Sequence, residues 1–462
     1  MPNPVSADAI SRRSWFVWVV GAGVYMLAVF NRSTLGVAGP QALARFGISS
    51  GELGVFVMLQ LAVYAAMQIP SGVLIDRFGP RRMLLAAALV MAIGQLGFAL
   101  LPSYPLALLS RGVLGCGDAM TYVSVLRLIA AWFPGPRYAL ITSFSGFFGV
   151  LGNVLATVPL AALLPVWGWV PTFSLAGGLC VLYALVLVRR GRVTPPYRTP
   201  AEPTASPLGG KRIVTEVKHS LHEPGGRLGF WVHFTTMSGS AVFTVLWGFP
   251  YMTEALGYTR GRASTLLLLL VVVQLAFSVT VGALLGRRPV IRVPLAFGVS
   301  ILNLVIWGVL IAWPGGHPPL GVMIVIVIFL AVGGPSSMVG FMLARDYNPR
   351  HRMSTATGLV NAGGWIASVI GVLLVGQILD IVEPGVKTTT SYRWAFVSIL
   401  VITAFGLYRL IVWWLRVRAQ LLRLQASGGQ GPIPVRRHRF DVDPAAERRA
   451  HPSSGADLDG PS

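Results

Sequence analysis

Long apolar stretches separated by short polar segments dominate the sequence. About twelve of them reach 20 residues or more, the length that a helix needs to cross a hydrocarbon core of about 30 Å. They cover residues 15–39, 50–75, 81–101, 105–131, 138–164, 169–188, 229–252, 263–286, 290–313, 319–343, 354–379 and 393–415. The pattern predicts an all-α membrane protein with twelve transmembrane helices.

Composition agrees with the hydrophobic pattern. The chain is 54% hydrophobic and 11% charged, whereas soluble domains are about 25% charged. The first apolar run is too long for a signal-peptide core, so we expect it to be retained as a span. Cys116 and Cys180 lie inside apolar runs, where they are expected to be buried hydrophobes, and no metal-binding spacing is present.

Basic residues are distributed unevenly between alternate loops. The net charge is +21, and with the N-terminus inside, the outer loops hold only Arg45, Arg260, Arg262, Lys387 and Arg393. The positive-inside rule therefore predicts that both termini are cytoplasmic. The same distribution argues against nucleic acid as a partner and for the lipid bilayer. Because arginine greatly outnumbers lysine, a GC-rich bacterial genome and a bacterial cell membrane are expected.

A long polar segment divides the spans into two groups of six. Residues 189–228 are rich in Pro, Arg and small residues and read as a cytoplasmic linker. The predicted parts are a six-helix bundle at 1–188, the linker, a second bundle at 229–418 and a disordered tail at 419–462. The segment GVLIDRFGPRR at 72–82 recurs as GALLGRRPVIR at 282–292, with Gly286 in place of Asp76. This weak repeat predicts two pseudo-symmetric bundles.

The chain resembles the major facilitator superfamily (MFS). The segment 72–82 closely matches the family's loop motif between helices 2 and 3, and Arg111-Gly112-x-x-Gly115-x-Gly117 matches a helix 4 motif. The segments 30–40, 111–119 and 132–137 look like the branch that includes sugar-phosphate, hexuronate and other organic-anion permeases. The resemblance implies the MFS fold and uptake of a small organic anion with protons. We expect a monomer that needs no cofactor beyond the proton gradient.

Polar residues inside apolar spans are the candidates for substrate binding, because a charge in the bilayer is costly without a partner or a cavity. Arg32 would bind a carboxylate or phosphate of the substrate. Alternatively, it snorkels to the surface or binds a neighbouring carbonyl. Gln60, Tyr64 and Gln68 recur at four-residue spacing, and Asn153 and Asn361 are the counterpart polar positions of the two bundles. These residues either line the substrate cavity or only form hydrogen bonds between helices. His233 is a weaker candidate.

Arg111 and Asp118 are the candidates for proton coupling. They lie seven residues apart in the fourth span, so two helical turns place them on one face. A carboxylate in an apolar interior can exchange a proton, and Arg111 would hold Asp118 ionised until a proton or substrate competes. The alternative is a static pair that stabilises helix packing.

The loop at 72–82 is the candidate gate. We expect Asp76 to lie near the N-terminus of the eleventh span, around Arg352 to Thr355, where the helix dipole favours a carboxylate. Gly72 and Gly79 permit close contact and a tight turn, and Arg77 and Arg81 follow the positive-inside rule. Since Gly286 replaces Asp76 in the second copy, the contact is expected on one side only. The alternative is a loop that only sets topology.

Absent motifs restrict the remaining function classes. The sequence holds no HExxH, GxSxG or phosphate-binding loop, which argues against an enzyme or an ATP-driven pump. Paired interior arginines, expected of phosphate-ester exchangers, are absent from the second, seventh and eighth spans. The alternative function is a proton-driven efflux antiporter for amphipathic drug-like compounds. A non-transporting sensor would be a third class, but no signalling domain is recognisable.

Overall fold

The computed structural model describes residues 11–48, 50–189, 215, 218–383 and 387–428. The helices of the first half are α1 (Arg12–Ser33), α2 (Leu35–Phe46), α3 (Ser50–Phe78), α4 (Pro80–Leu100), α5 (Tyr104–Trp132), α6 (Tyr138–Trp167) and α7 (Trp169–Arg189). Those of the second half are α8 (Pro224–Val242), α9 (Arg260–Arg287), α10 (Arg292–Ala312), α11 (Leu320–Leu330), α12 (Met338–Tyr347), α13 (Met353–Val382) and α14 (Thr389–Ala426).

The all-α membrane fold is confirmed. Within the described residues there is no strand, and 11 helical segments are long and apolar enough to cross a membrane. The remaining predicted span, 229–252, begins earlier, with α8 at Pro224, and its second part contains two π-helical turns at Phe243–Trp247 and Tyr251–Ala255. These turns interrupt the regular hydrogen bonding that an uninterrupted apolar helix would have.

Two other predicted spans are built from more than one helix. The first changes from α1 to α2 at Thr34, and the tenth consists of α11, a short helix at Gly333–Ser336 and α12. Pro335 lacks a backbone N–H, and a Cβ at Gly333 would lie 2.5 Å from the Thr236 carbonyl oxygen. The break therefore accompanies a close approach to α8.

The predicted boundary of the C-terminal tail is wrong by several residues. Helix α14 continues to Ala426, so residues 419–426 are helical rather than disordered. Leu421 and Leu422 explain the extension, because both are buried, and Leu421 belongs to a hydrophobic core cluster with Val417 and Trp413. Residues 429–462 of the predicted tail, and residues 190–214 of the predicted linker, lie outside the described residues.

The two halves pack closely at one end of the molecule. A Cβ at Gly72 of α3 would lie 2.5 Å from the Ser354 carbonyl oxygen of α13, and one at Gly358 would collide with the Gln68 carbonyl oxygen. Helices α6 and α9 form a second contact between the halves, where a Cβ at Gly282 of α9 would collide with Ser143 of α6. Only glycine allows these backbones to approach so closely.

Replacing Gly72 and Gly358 by alanine should separate α3 from α13 at this end, because the new methyl groups meet backbone atoms that cannot rotate away. Spin labels at Phe78 and His351, in a background with Cys116→Ala and Cys180→Ala, should report a longer and broader distance by double electron–electron resonance. Gly54→Ala is the matched control, because nothing lies within 4 Å of its Cβ position. An unchanged distance distribution in the double variant would contradict the packing argument.

Candidate functional site

An ion pair between α1 and α5 lies at the centre of the candidate site. Arg32 donates from Nε to Asp118 Oδ2 at 2.8 Å and from Nη2 to Oδ1 at 2.7 Å. The side chain of Asp118 is 0% exposed and that of Arg32 is 15% exposed. This two-point geometry is the strongest pairing that an arginine makes with a carboxylate. The pair therefore leaves Asp118 fully enclosed, while the Arg32 side chain keeps a small exposed fraction.

Aromatic side chains from both halves cover the Arg32 guanidinium. Its carbon lies 4.5 Å from the ring centre of Tyr64 on α3 and 5.1 Å from that of Trp365 on α13. Asn361 of α13 donates to Tyr64 Oη at 3.2 Å and to Gln68 Oε1 at 2.6 Å. Arg32, Tyr64, Asn361 and Asp118, which were separate candidates in the sequence, thus belong to one connected group that spans both halves.

Trp365 was missed by the sequence analysis. A tryptophan within an apolar span carries no signal of its own, because most such residues face lipid or neighbouring helices. Its spacing could have drawn attention to it, since it lies four residues after Asn361 and therefore on the same face of α13.

The expected pairing of Arg111 with Asp118 does not form. Arg111 is fully buried; its Nη1 lies 3.3 Å from the Asn31 carbonyl oxygen, and its guanidinium stacks on Phe98 at 5.0 Å. Its Nε and Nη2 have no hydrogen-bond partner within the described part of the chain. Seven residues of helix separate the two positions by about 10 Å, so Arg32 from the neighbouring helix reaches Asp118 instead.

The remaining candidates for substrate binding lie at the edge of this group. Gln60 is 1% exposed and packs against α5, where a Cβ at Gly115 would lie 2.8 Å from its carbonyl oxygen. Asn153 is exposed on α6 and accepts a hydrogen bond from Ser33, the residue after Arg32. His233 is buried on α8, with Nδ1 3.3 Å from the Ser337 carbonyl oxygen.

Asp76 binds the first turn of α13 from the opposite half. Its Oδ1 accepts from Ser354 N at 2.9 Å, and its Oδ2 accepts from Thr355 N at 2.7 Å and from Thr355 Oγ1 at 2.8 Å. The first backbone N–H groups of a helix lack intrahelical partners and carry a partial positive charge. The carboxylate therefore occupies the position that the sequence predicted for it. Arg352 directly precedes this turn.

Three other residues of the predicted gate, Arg77, Gly79 and Arg81, lie within the first half. Arg81 donates to the Leu187 carbonyl oxygen at 2.7 Å and so caps the end of α7, which does not agree with a contact between the halves. Arg77 stacks on its neighbour Phe78 at 4.9 Å, and Gly79 adopts a φ of 81° between α3 and α4. These residues shape the turn from which Asp76 projects.

The second copy of the loop makes a different contact. Gly286, which stands where the first copy has Asp76, packs its backbone against the Pro136 carbonyl oxygen. Nearby, Arg345 donates to the Gly135 carbonyl oxygen at 3.2 Å, and Ser143 donates to the Ser278 carbonyl oxygen at 2.8 Å. The carboxylate contact is present in the first copy and replaced by close backbone packing in the second.

A double-mutant cycle on Arg32 and Asp118 should give a large coupling free energy. Arg32→Gln leaves a buried carboxylate without its cation, and losing one partner of a buried pair costs about 3–5 kcal/mol. Asp118→Asn should also destabilise the protein, and the double variant should be more stable than the sum of the single effects predicts. Thermal unfolding in detergent measures the stability of the wild type, the two single variants and the double variant. Additive effects would show that the pair is energetically unimportant.

Comparisons with known proteins agree with this architecture. The profile of the Major Facilitator Superfamily matches residues 21–342 and 229–446. A solved structure of the proton:xylose symporter XylE bound to 6-bromo-6-deoxy-D-glucose superimposes with a TM-score of 0.61 at 18% identity, covering 86% of this chain and 96% of that one.

Several similar proteins carry the names of transporters. A probable hexose phosphate transport protein of Chlamydia trachomatis is 22% identical, with 84% of this chain and 88% of that protein covered. The hexuronate transporter of Escherichia coli is 20% identical, with 79% and 88% covered. The probable sulfoacetate transporter SauU of Cupriavidus necator is 24% identical, but the match covers only 35% of this chain and 38% of that protein. Because the family profile matches most of this chain, the chain, with its many candidate membrane spans, belongs to the Major Facilitator Superfamily.

Proposed function

We propose that this transporter takes up a small organic anion together with a proton. The observation that carries the proposal is the buried Arg32–Asp118 pair, which both halves cover through Tyr64, Trp365 and Asn361. In this family's alternating-access cycle, substrate binds between the halves near the middle of the membrane. A guanidinium at that position offers a fork for one carboxylate or similar anion.

The ion pair links anion binding to protonation by charge balance. Asp118 occupies the Nε–Nη2 edge of the Arg32 guanidinium. A substrate carboxylate that binds through this edge must displace Asp118, which would leave an uncompensated carboxylate in an apolar interior. A proton on Asp118 removes that cost, so one proton and one monovalent anion together keep the site neutral. Arg32 then binds the substrate, and Asp118 carries the proton.

The proposed substrate class is a carboxylic or sulfonic acid of low molecular mass. Arg32 is the one guanidinium within this group of described residues, and a single guanidinium matches a singly charged anion better than a doubly charged phosphate ester. The hexuronate transporter among the relatives carries a name consistent with this class, because a hexuronate has one carboxylate. None of the relatives named above is a drug exporter, so the efflux alternative gains no support from them.

The contact of Asp76 with α13 supports a role as an intracellular gate. The arginine distribution favours cytoplasmic termini, which would place Asp76, Gly72 and Gly282 at the cytoplasmic end. In the proposed cycle the present conformation is closed to the cytoplasm. Substrate would then reach Arg32 from outside, and release inside would require the bonds to Ser354 and Thr355 to break.

Asp118→Asn should abolish proton-driven accumulation while preserving exchange, because the amide neither binds nor releases the proton. Proteoliposomes loaded at alkaline pH and placed in acidic medium with labelled hexuronate measure accumulation, and counterflow measures exchange. Arg32→Gln should lose both activities. Arg288→Gln removes an arginine at an exposed position outside the candidate site, so it is the control for the effect of substitution on the amount of protein in the vesicles. Full proton-driven uptake by Asp118→Asn would disprove the coupling role.

Asp76→Asn should slow turnover while leaving substrate affinity nearly unchanged. The amide has no charge to interact with the helix N-terminus and only one accepting oxygen, so the closed gate is weakened. Thr355→Val removes the hydroxyl donor but keeps the backbone donor, and it should show a smaller loss. Initial transport rates and binding isotherms separate the two quantities. Equal rates in wild type, Asp76→Asn and Thr355→Val would contradict a gating role.

A further inference from the structure

A cluster of arginines and tryptophans lies in the first half of α8, beside the second half of α14. Arg227 and Arg416 both stack on Trp413, with their guanidinium carbons 4.7 and 4.6 Å from its ring. Arg409 stacks on Trp231 at 5.1 Å. These five residues are called the arginine–tryptophan cluster below. None of them takes part in the candidate transport site.

The cluster lacks the negative charge that three arginines would normally attract. Within the described residues, neither Arg227, Arg409 nor Arg416 has a carboxylate at ion-pair distance. Arg416 and Arg409 are near enough for their charges to act on Arg227. Three like charges held together by two rings repel one another, so an anion bound among them would be stabilised.

Buried donors in the cluster also lack acceptors. Trp413 is 4% exposed, and its Nε1 has no hydrogen-bond partner among the described residues. The Nε of Arg409 is likewise buried without a partner in this part of the chain. Unsatisfied buried donors are rare in proteins and point to a bound group with acceptor oxygens.

The position of the cluster along α14 corresponds to the membrane interface. At a rise of about 1.5 Å per residue, Arg409 lies about 30 Å from the first residue of α14, and Arg416 about 40 Å. The distance of about 30 Å to Arg409 equals the thickness of a hydrocarbon core. With the first residue of α14 at one surface of that core, the cluster lies at the level of the lipid headgroups on the other side. Phe405, Tyr408 and Leu415 are exposed on the same stretch of α14, as expected of side chains that face lipid.

We propose that the arginine–tryptophan cluster binds the phosphodiester headgroup of an anionic phospholipid in the leaflet that faces the predicted cytoplasm. The phosphate oxygens would accept hydrogen bonds from Arg227, Arg409 and Arg416, while the acyl chains lie along the exposed apolar side chains of α14. Guanidinium groups suit phosphate because their planar fork gives two parallel donors. The lipid would thereby hold the start of α8 against α14 in the second half.

Native mass spectrometry of the full-length protein tests the proposal, with phosphatidylglycerol titrated against phosphatidylcholine. Wild type should retain phosphatidylglycerol selectively. Arg227→Gln and Arg416→Gln should each weaken its binding about fivefold, since each basic side chain near an anionic membrane surface adds a comparable increment. The triple variant with Arg409→Gln should lose the selectivity. Arg416→Lys, which keeps the charge, should retain more binding than Arg416→Gln.

The matched control is the triple variant Arg82→Gln, Arg287→Gln and Arg288→Gln, which removes exposed charges at the same end of the molecule. An equal loss of lipid in control and cluster variants would overturn the proposal in favour of non-specific attraction. Displacement of the lipid by millimolar inorganic phosphate would overturn it in favour of a site for free anions. If lipid bound only after neutralising Asp441, Asp443 and Glu447, these carboxylates of the C-terminal tail would be the occupants instead.

Discussion

The cost of placing charge in an apolar interior constrains this molecule more than any other interaction. Inside the bilayer a charged side chain needs a partner or a water-filled cavity. Asp118 satisfies this requirement through two bonds to Arg32, and Asp346 pairs with Arg292. Asp76 uses the backbone N–H groups of another helix. Each carboxylate thereby joins two different helices, so the same requirement that limits the number of charges also determines which helices are held together.

Arg111 meets the same requirement less completely. It has one carbonyl contact and the face of Phe98, and two of its nitrogens have no partner among the described residues. Ordered water commonly satisfies such buried groups. Arg111 lies on α5 together with Asp118, and its bond to the Asn31 carbonyl oxygen connects it to the end of α1, beside Arg32. It therefore supports the helix junction from which Arg32 projects, rather than neutralising Asp118 directly.

The sequence was sufficient to predict features that depend on local pattern. The helices and the approach of Asp76 to Thr355 follow from hydropathy, short motifs and the helix dipole. The partner of Asp118 did not follow, because spacing within one helix cannot reveal that Arg32 approaches from another. Trp365 was overlooked for the same reason. Leu421 and Leu422 extended α14 because they are buried by packing, which the polar composition around them concealed.

The packing of α3 against α13 joins the candidate substrate site to the candidate gate. The residues of α3 that meet α13 recur every four positions and therefore form one face: Tyr64, Gln68, Gly72 and Asp76. Their partners run in the opposite direction along α13, from Trp365 and Asn361 to Gly358, Thr355 and Ser354.

The contact between α3 and α13 leaves little room for small relative movements of the two helices. Gly72 and Gly358 place backbone against backbone, so α3 and α13 cannot tilt toward each other at the gate. If Trp365 moves relative to Tyr64 at the candidate substrate site, α3 and α13 must therefore open at the candidate gate. A change in the contacts around Arg32 would thus affect the hydrogen bonds of Asp76, because rigid helices connect the two positions. A chain of side-chain rearrangements is not needed.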